Sequence, residues 1–158
     1  MEEPPSYHTI LVVNRSSLSF DPYQVETALK SCLDEAKAGP ANVRVLVTSD
    51  EHVQELNRRY RGLDEATDVL TFEDEDEASG DIAIAGPYAQ RQAAARTIEF
   101  HDEVMLLAIH GTLHLLGLED ETEPGRIEMI DRMYDVAERF GVRREEDWGS
   151  LLHEQAAV

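Results

Sequence analysis

Apolar residues recur along the chain with two periods, and the switches between them set out its elements. His8-Thr-Ile-Leu-Val-Val13 is a short β-branched run and reads as a first strand. Asp21-Pro22 with Gln24 marks a helix start, with Asp as N-cap, Pro at the first helical position and Gln reaching back as in a capping box. Val25, Ala28, Leu29, Cys32, Leu33 and Ala36 follow at helical spacing, until Gly39-Pro40 ends the run. Val43, Val45 and Val47 alternate with Arg44 and Leu46 in a second strand. Thr48 or Ser49 caps the next helix, whose inner face is Val53, Leu56 and Tyr60, and Gly62 stops it. Residues 67–72 read as a third strand and 81–85 as a fourth, with Ile82 and Ile84 on one face. The acidic run 73–77 between them lacks the spacing of a calcium loop and reads as a solvated connection. Residues 87–96, rich in alanine and glutamine, predict a helix packed by small side chains.

The run Val104-Met-Leu-Leu-Ala-Ile109 is almost continuously apolar and predicts a buried helix. Asp102 and Glu103 suit its positive N-terminal end, and Gly117 a left-handed C-terminal cap. Pro124 opens a last long helix with Ile127, Ile130, Tyr134 and Ala137 inward, closed by Gly141. Trp148, Leu151 and Leu152, at helical spacing, predict a small apolar patch docking on the body. Together these elements predict an α+β fold: a small mixed four-stranded sheet packed against helices, with the 104–114 helix central and carrying a metal. No internal repeat or linker interrupts the chain, so residues 1–158 are expected to form one domain.

The candidate chemistry lies in His110-Gly-Thr-Leu-His114-Leu-Leu-Gly117-Leu-Glu119-Asp120. Two histidines four apart share one helix face, and a glycine turn returns the chain towards both. Buried imidazoles need polar partners, and an acid three residues beyond the glycine completes a tripod of two nitrogens and one oxygen. Glu119, Asp120, Glu121 and Glu123 all lie nearby, and the spacing from His114 favours Asp120. Such a set suits one divalent metal, zinc above others, with an open position for water. Zinc peptidases of the H-E-x-x-H type place a glutamate after the first histidine, and here that position is Gly111. A standard peptidase is therefore disfavoured. His8, His52, His101 and His153 show no ligand spacing, and His101 suits a capping or surface role.

Composition changes the picture in one respect. The net charge of −19 repels phosphate at long range, so a nucleic-acid partner requires the few cations to be gathered. Three of them are, in Leu56-Asn57-Arg58-Arg59-Tyr60-Arg61-Gly62. Cations suit a helix C-terminus on structural grounds alone, and Arg58 and Arg59 suit that role and an RNA backbone equally. The single cysteine, Cys32, excludes an internal disulfide and reads as a core residue. Met1-Glu-Glu-Pro-Pro carries neither basic nor hydrophobic signal features, and no apolar run approaches membrane-spanning length, so a cytoplasmic protein is expected.

Several blocks of the sequence resemble the YbeY family of bacterial metal-dependent endoribonucleases. They are Leu56-Asn57 with Tyr60-Arg61, then Thr67-Asp68-Val69-Leu70-Thr71-Phe72, then Gly80-Asp81-Ile82-Ala83-Ile84, then His110-Gly-x-Leu-His114-Leu-x-Gly117. The resemblance covers residues 50 to 120 and departs from the family at one position, where Asp120 stands in place of the family's third histidine. A carboxylate there leaves a divalent metal less charged, so water bound to it is less acidified. The resemblance implies an endoribonuclease that cuts single-stranded ribosomal RNA during maturation of the 16S 3′ end and in ribosome quality control. It implies the small ribosomal subunit as partner, with no membrane and no DNA. It also implies a catalytic role for Arg61 on the charge that develops at phosphate, beside the RNA-binding set Arg58, Arg59 and Arg61. The rivals are a zinc peptidase with its base elsewhere and a non-catalytic ribosome-associated factor with a structural metal.

Overall fold

A computed structural model describes residues 8–145 and Trp148. Strands β1 (Thr9–Asn14), β2 (Asn42–Thr48), β3 (Val69–Glu73) and β4 (Gly80–Ala85) form one sheet in the order β1-β2-β4-β3. The first two pairings are parallel, and β3 runs antiparallel to β4 at the edge. Helices α1 (Pro22–Glu35), α2 (Asp50–Arg61), α3 (Gly86–Arg96), α4 (Phe100–Leu115) and α5 (Glu123–Ala137) pack on it. This is the expected α+β architecture, a mixed four-stranded sheet with the histidine-bearing helix at its centre. None of the described helices is long and apolar enough to cross a membrane.

Strand alternation divides the core. Val43, Val45 and Val47 of β2 and Ile82 and Ile84 of β4 face the main cluster, which α1, α4 and α5 complete. Ala83, Ala85 and Leu70 face the other way and meet Val53 of α2 and Tyr88 of α3. α4 is buried nearly all round from Glu103 to Leu113, which explains its continuous apolar run. Cys32 lies in the main core, as its helical register indicates.

Local signals placed most boundaries, and the departures have physical reasons. Asp21 caps α1 by accepting from the N–H groups of Tyr23 and Gln24, but the Gln24 side chain does not reach back. The Asp21 N–H is instead donated to His101 Nδ1 at 3.2 Å, while His101 Nε2 donates to Gln24 Oε1 at 3.1 Å. His101 is thus a capping residue that ties α1 to the start of α4. β3 begins at Val69 rather than Thr67, because the Asp68 carboxylate bends back to accept the Val69 N–H at 2.8 Å. Tyr60 is 63% exposed and packs edge-on against Phe72, and the inward position on α2 belongs to Asn57, which donates to the Glu65 carbonyl. Ile127 is 48% exposed, whereas Ile130, Tyr134 and Ala137 face inward as expected, joined by Met129, Met133 and Val136. Glu103 is fully buried rather than set at a solvated helix end. Trp148 docks on the body as expected, and Leu151, Leu152 and His153 lie outside the described residues.

Candidate metal centre and its cleft

The candidate ligands come from one helix and the turn that follows it. His110 and His114 sit one turn apart on α4, and their Nε2 atoms approach to 3.1 Å. α4 ends in a Schellman pair, with the Gly117 N–H donated to the His114 carbonyl and the Leu118 N–H to that of Leu113. This requires φ of 95° at residue 117, a conformation open to glycine. The chain then returns, and Asp120 Oδ2 comes to 3.6 Å from His110 Nε2 and 3.8 Å from His114 Nε2. The first turn of α5 packs tightly against this return. A Cβ on Gly125 would lie 2.5 Å from the Glu119 carbonyl oxygen, so only glycine lets the helix approach the segment carrying Asp120.

This donor set fits a divalent metal. One atom from each of the three residues lies within 4.8 Å of the others, and ligands around a tetrahedral zinc are roughly 3.3–3.6 Å apart. His114 Nδ1 donates to the Leu118 carbonyl at 3.0 Å, which fixes the tautomer and leaves the Nε2 lone pair facing the site. Burial first, and His114 second, push the His110 imidazolium down to about 4, so this ring also offers a free lone pair at neutral pH. Among the described residues no other group of His, Cys, Asp and Glu converges in this way.

Gly111 is buried in the contact between α4 and the sheet, where a Cβ would meet three carbons of Ile82 at 2.9 to 3.0 Å. A glutamate at this position would be driven into β4, away from the two imidazoles. The helix register that buries α4 against β4 therefore excludes the usual peptidase base.

Two cavities flank the triad. One, of about 460 Å³, is bounded by Arg61, Asp68, His110, Asp120, Arg126 and Trp148, with Met129 and Ile130 in its wall. The other, of about 310 Å³, runs past His114 towards Glu73, Glu119 and Glu121. Arg61 borders both, and its Nη2 donates to the Thr71 carbonyl at 2.8 Å while the guanidinium lies over the Phe72 ring. Arg58 is tied to Glu55 through two bonds of 2.6 and 3.0 Å. Neither Arg58 nor Arg59 lines either cavity.

A buried polar chain supports the site from behind, and it escaped the sequence reading. Gln92, fully buried on α3, donates to Asp68 Oδ2 at 3.0 Å and to Glu103 Oε1 at 3.4 Å. Glu103 Oε2 lies 3.3 Å from Arg96 Nε, whose guanidinium sits over the Trp148 ring, and that ring packs 5.3 Å from the His110 ring. Burial pushes Glu103 up to about 7, against the pull of the Arg96 guanidinium. The one signal in sequence was an amide at a core position of an otherwise small-residue helix. Arg126 gave none.

Comparison with known proteins agrees with this geometry. The model of the family described as Endoribonuclease YbeY matches residues 13–141. Endoribonuclease YbeY of Desulforamulus reducens is 39% identical over 76% of this chain and 86% of its own length. The protein of the same name from a Roseiflexus species is 36% identical over 87% of this chain and 94% of its own. The solution structure of TM1509 from Thermotoga maritima superposes with a TM-score of 0.60 at 26% identity, covering 89% of this chain and 97% of that one. A two-histidine, one-aspartate centre at the head of such a cleft, on this sheet order and with matches of this extent, places the chain in the YbeY endoribonuclease family.

Proposed function

We propose that the protein is a zinc-dependent endoribonuclease that cuts single-stranded ribosomal RNA during maturation of the small ribosomal subunit, in the cytoplasm. The observation that carries the reading is the convergence of His110, His114 and Asp120 with Arg61 on one cavity, that of about 310 Å³. The family relatives are named endoribonucleases, and the ribosomal substrate is what the YbeY resemblance implies. A divalent metal held by the three ligands supplies Lewis-acid polarisation at the phosphodiester. The chain's own residues do the rest. His114 is held in one tautomer by Leu118, and Asp120 is fixed by the turn clamped at Gly125. Arg61 is pre-oriented by the Thr71 carbonyl and the Phe72 ring, with the remaining N–H donors of its planar fork free for phosphoryl oxygens. Those donors stabilise the negative charge that grows as the P–O bond breaks.

The test is single-turnover cleavage of an unstructured RNA, run beside casein as a peptidase control. RNA is cut by the metal-loaded protein, is spared after chelation or in His114→Ala, and casein stays intact. Arg61→Ala lowers the rate at saturating RNA by about 10²-fold while metal content is unchanged. RNA left whole by a protein carrying stoichiometric zinc sinks the reading.

A further inference from the structure

The 460 Å³ cleft beside the triad has features that metal binding and Arg61 leave unused. Its inner wall is apolar and aromatic: Met129, Ile130 and Trp148 all border it while being no more than 6% exposed. Arg126, on the first turn of α5, lines the cleft as Arg61 does. That is an unfavourable place for a cation, because the positive end of the helix dipole repels it. Its nearest carboxylate, Glu123, lies at 3.4 Å, long for a charge-assisted bond, and the side chain remains 38% exposed. Helix stability does not account for Arg126, whereas an anion in the cleft would. Among the described residues, the cleft brings two guanidinium groups, Arg61 and Arg126, together with this apolar surface, beside the carboxylates of Glu65, Asp68 and Asp120. Single-stranded RNA is recognised through that combination, by unstacked bases set against aromatic and apolar side chains and phosphates held by arginine forks.

We propose that this cleft is a subsite for one nucleotide of the RNA strand, with the base against Trp148, Met129 and Ile130 and its phosphate held by Arg126 together with Arg61. The proposal rests on the RNA-cleaving reading and adds to it a nucleotide contact beside the metal centre. A cavity of this volume lies in the range of small-ligand sites and takes a single nucleoside, so one base is read rather than a stack.

Trp148 is the single tryptophan of the chain, so its fluorescence reports on this wall and on the His110 ring packed against it, which is why the metal is held saturating throughout. Metal-loaded protein is titrated with the four nucleoside 5′-monophosphates and, separately, with ribose 5-phosphate, which carries the same phosphate without a base. The monophosphates change the Trp148 emission and inhibit RNA cleavage, and ribose 5-phosphate binds at least about tenfold more weakly. Arg126→Ala weakens monophosphate binding about tenfold with metal content and thermal midpoint unchanged, and Arg126→Lys falls between the two. Ribose 5-phosphate binding as tightly as the nucleotides, or Arg126→Ala binding like the parent, overturns the subsite even if RNA is cleaved normally. A protein that binds nucleotides with this selectivity yet leaves RNA intact keeps the subsite and overturns the reaction instead.

Discussion

At the scale of single residues, Gly111 couples packing to reaction class. The close contact between α4 and Ile82 leaves no volume for a methyl group. Gly111→Ala is expected to cost about 1–3 kcal/mol of stability by overpacking, and Ile82→Val to recover part of that loss in the double variant. Denaturant unfolding of the four proteins measures the coupling, and strict additivity would show that the contact does not limit residue 111. Glu103 makes a second prediction. Its carboxyl is pushed up to about 7 by burial, above its ordinary value of 4.5. Between those values the native state holds a proton that the unfolded chain has released. Glu103 therefore favours folding below pH 4.5, and that contribution is lost as pH rises through 7. Glu103→Gln, which cannot ionise, should gain on the parent protein by on the order of 1–3 kcal/mol between pH 5 and pH 8. An unfolding free-energy difference that is the same at both pH values would refute it. The histidine pair could be read from sequence because its geometry is local, four residues on one helix. The Gln92 network could not, since its partners are 24 and 11 residues away and meet only after α3 and α4 pack.

At the scale of elements, helix ends were legible and helix faces less so. Asp21, Ser49 and Gly117 act through bonds to atoms two to three residues away, and Pro124 through its own fixed φ, so their types alone announce them. The faces of α2 and α5 depend on what covers them, and both helices border the cleft. Tyr60 and Ile127 match an apolar stripe in sequence yet stay exposed, and the polar Asn57 turns inward to hold the Glu65 carbonyl. The fit of α5 against the turn after α4 was equally invisible, because it rests on a close approach at Gly125. This element contact positions Asp120, the third candidate ligand. Gly125→Ala should displace the Glu119 carbonyl and Asp120 with it, lowering zinc affinity by about tenfold although no ligand is changed. Competition with a chromophoric chelator measures this, and Asp120→His in the same assay should bind more tightly than the parent. Parental affinity in Gly125→Ala would mean that the turn holds Asp120 without help from α5.

At the scale of the whole molecule, a net charge of −19 has to be reconciled with a polyanionic substrate. Arginines elsewhere are largely committed: Arg44 to Asp74 and Asp81, Arg58 to Glu55, Arg91 to Asp50, and Arg139 to Glu35. At the cleft, Arg61 and Arg126 are the guanidinium groups facing the space beside the triad. Few phosphates are therefore neutralised, while the acidic body repels the rest of the strand. Each phosphate contact on a single strand contributes a salt slope of about 0.7, so two contacts give a log–log slope of about −1.4. That is about a sevenfold loss of RNA affinity between 50 and 200 mM salt. The long-range repulsion is itself screened as salt is added, which makes the observed slope shallower still. A binder with a broad basic face loses about 10³-fold or more over the same interval. The half-saturating protein concentration in single-turnover cleavage of an unstructured RNA, followed across that range with zinc held constant, distinguishes the two regimes. A loss of about 100-fold or greater would mean that the strand follows a longer cationic path than the cleft provides. A shallow slope, halved in Arg126→Ala, would mean that an acidic protein holds RNA through a few aimed contacts rather than through its field.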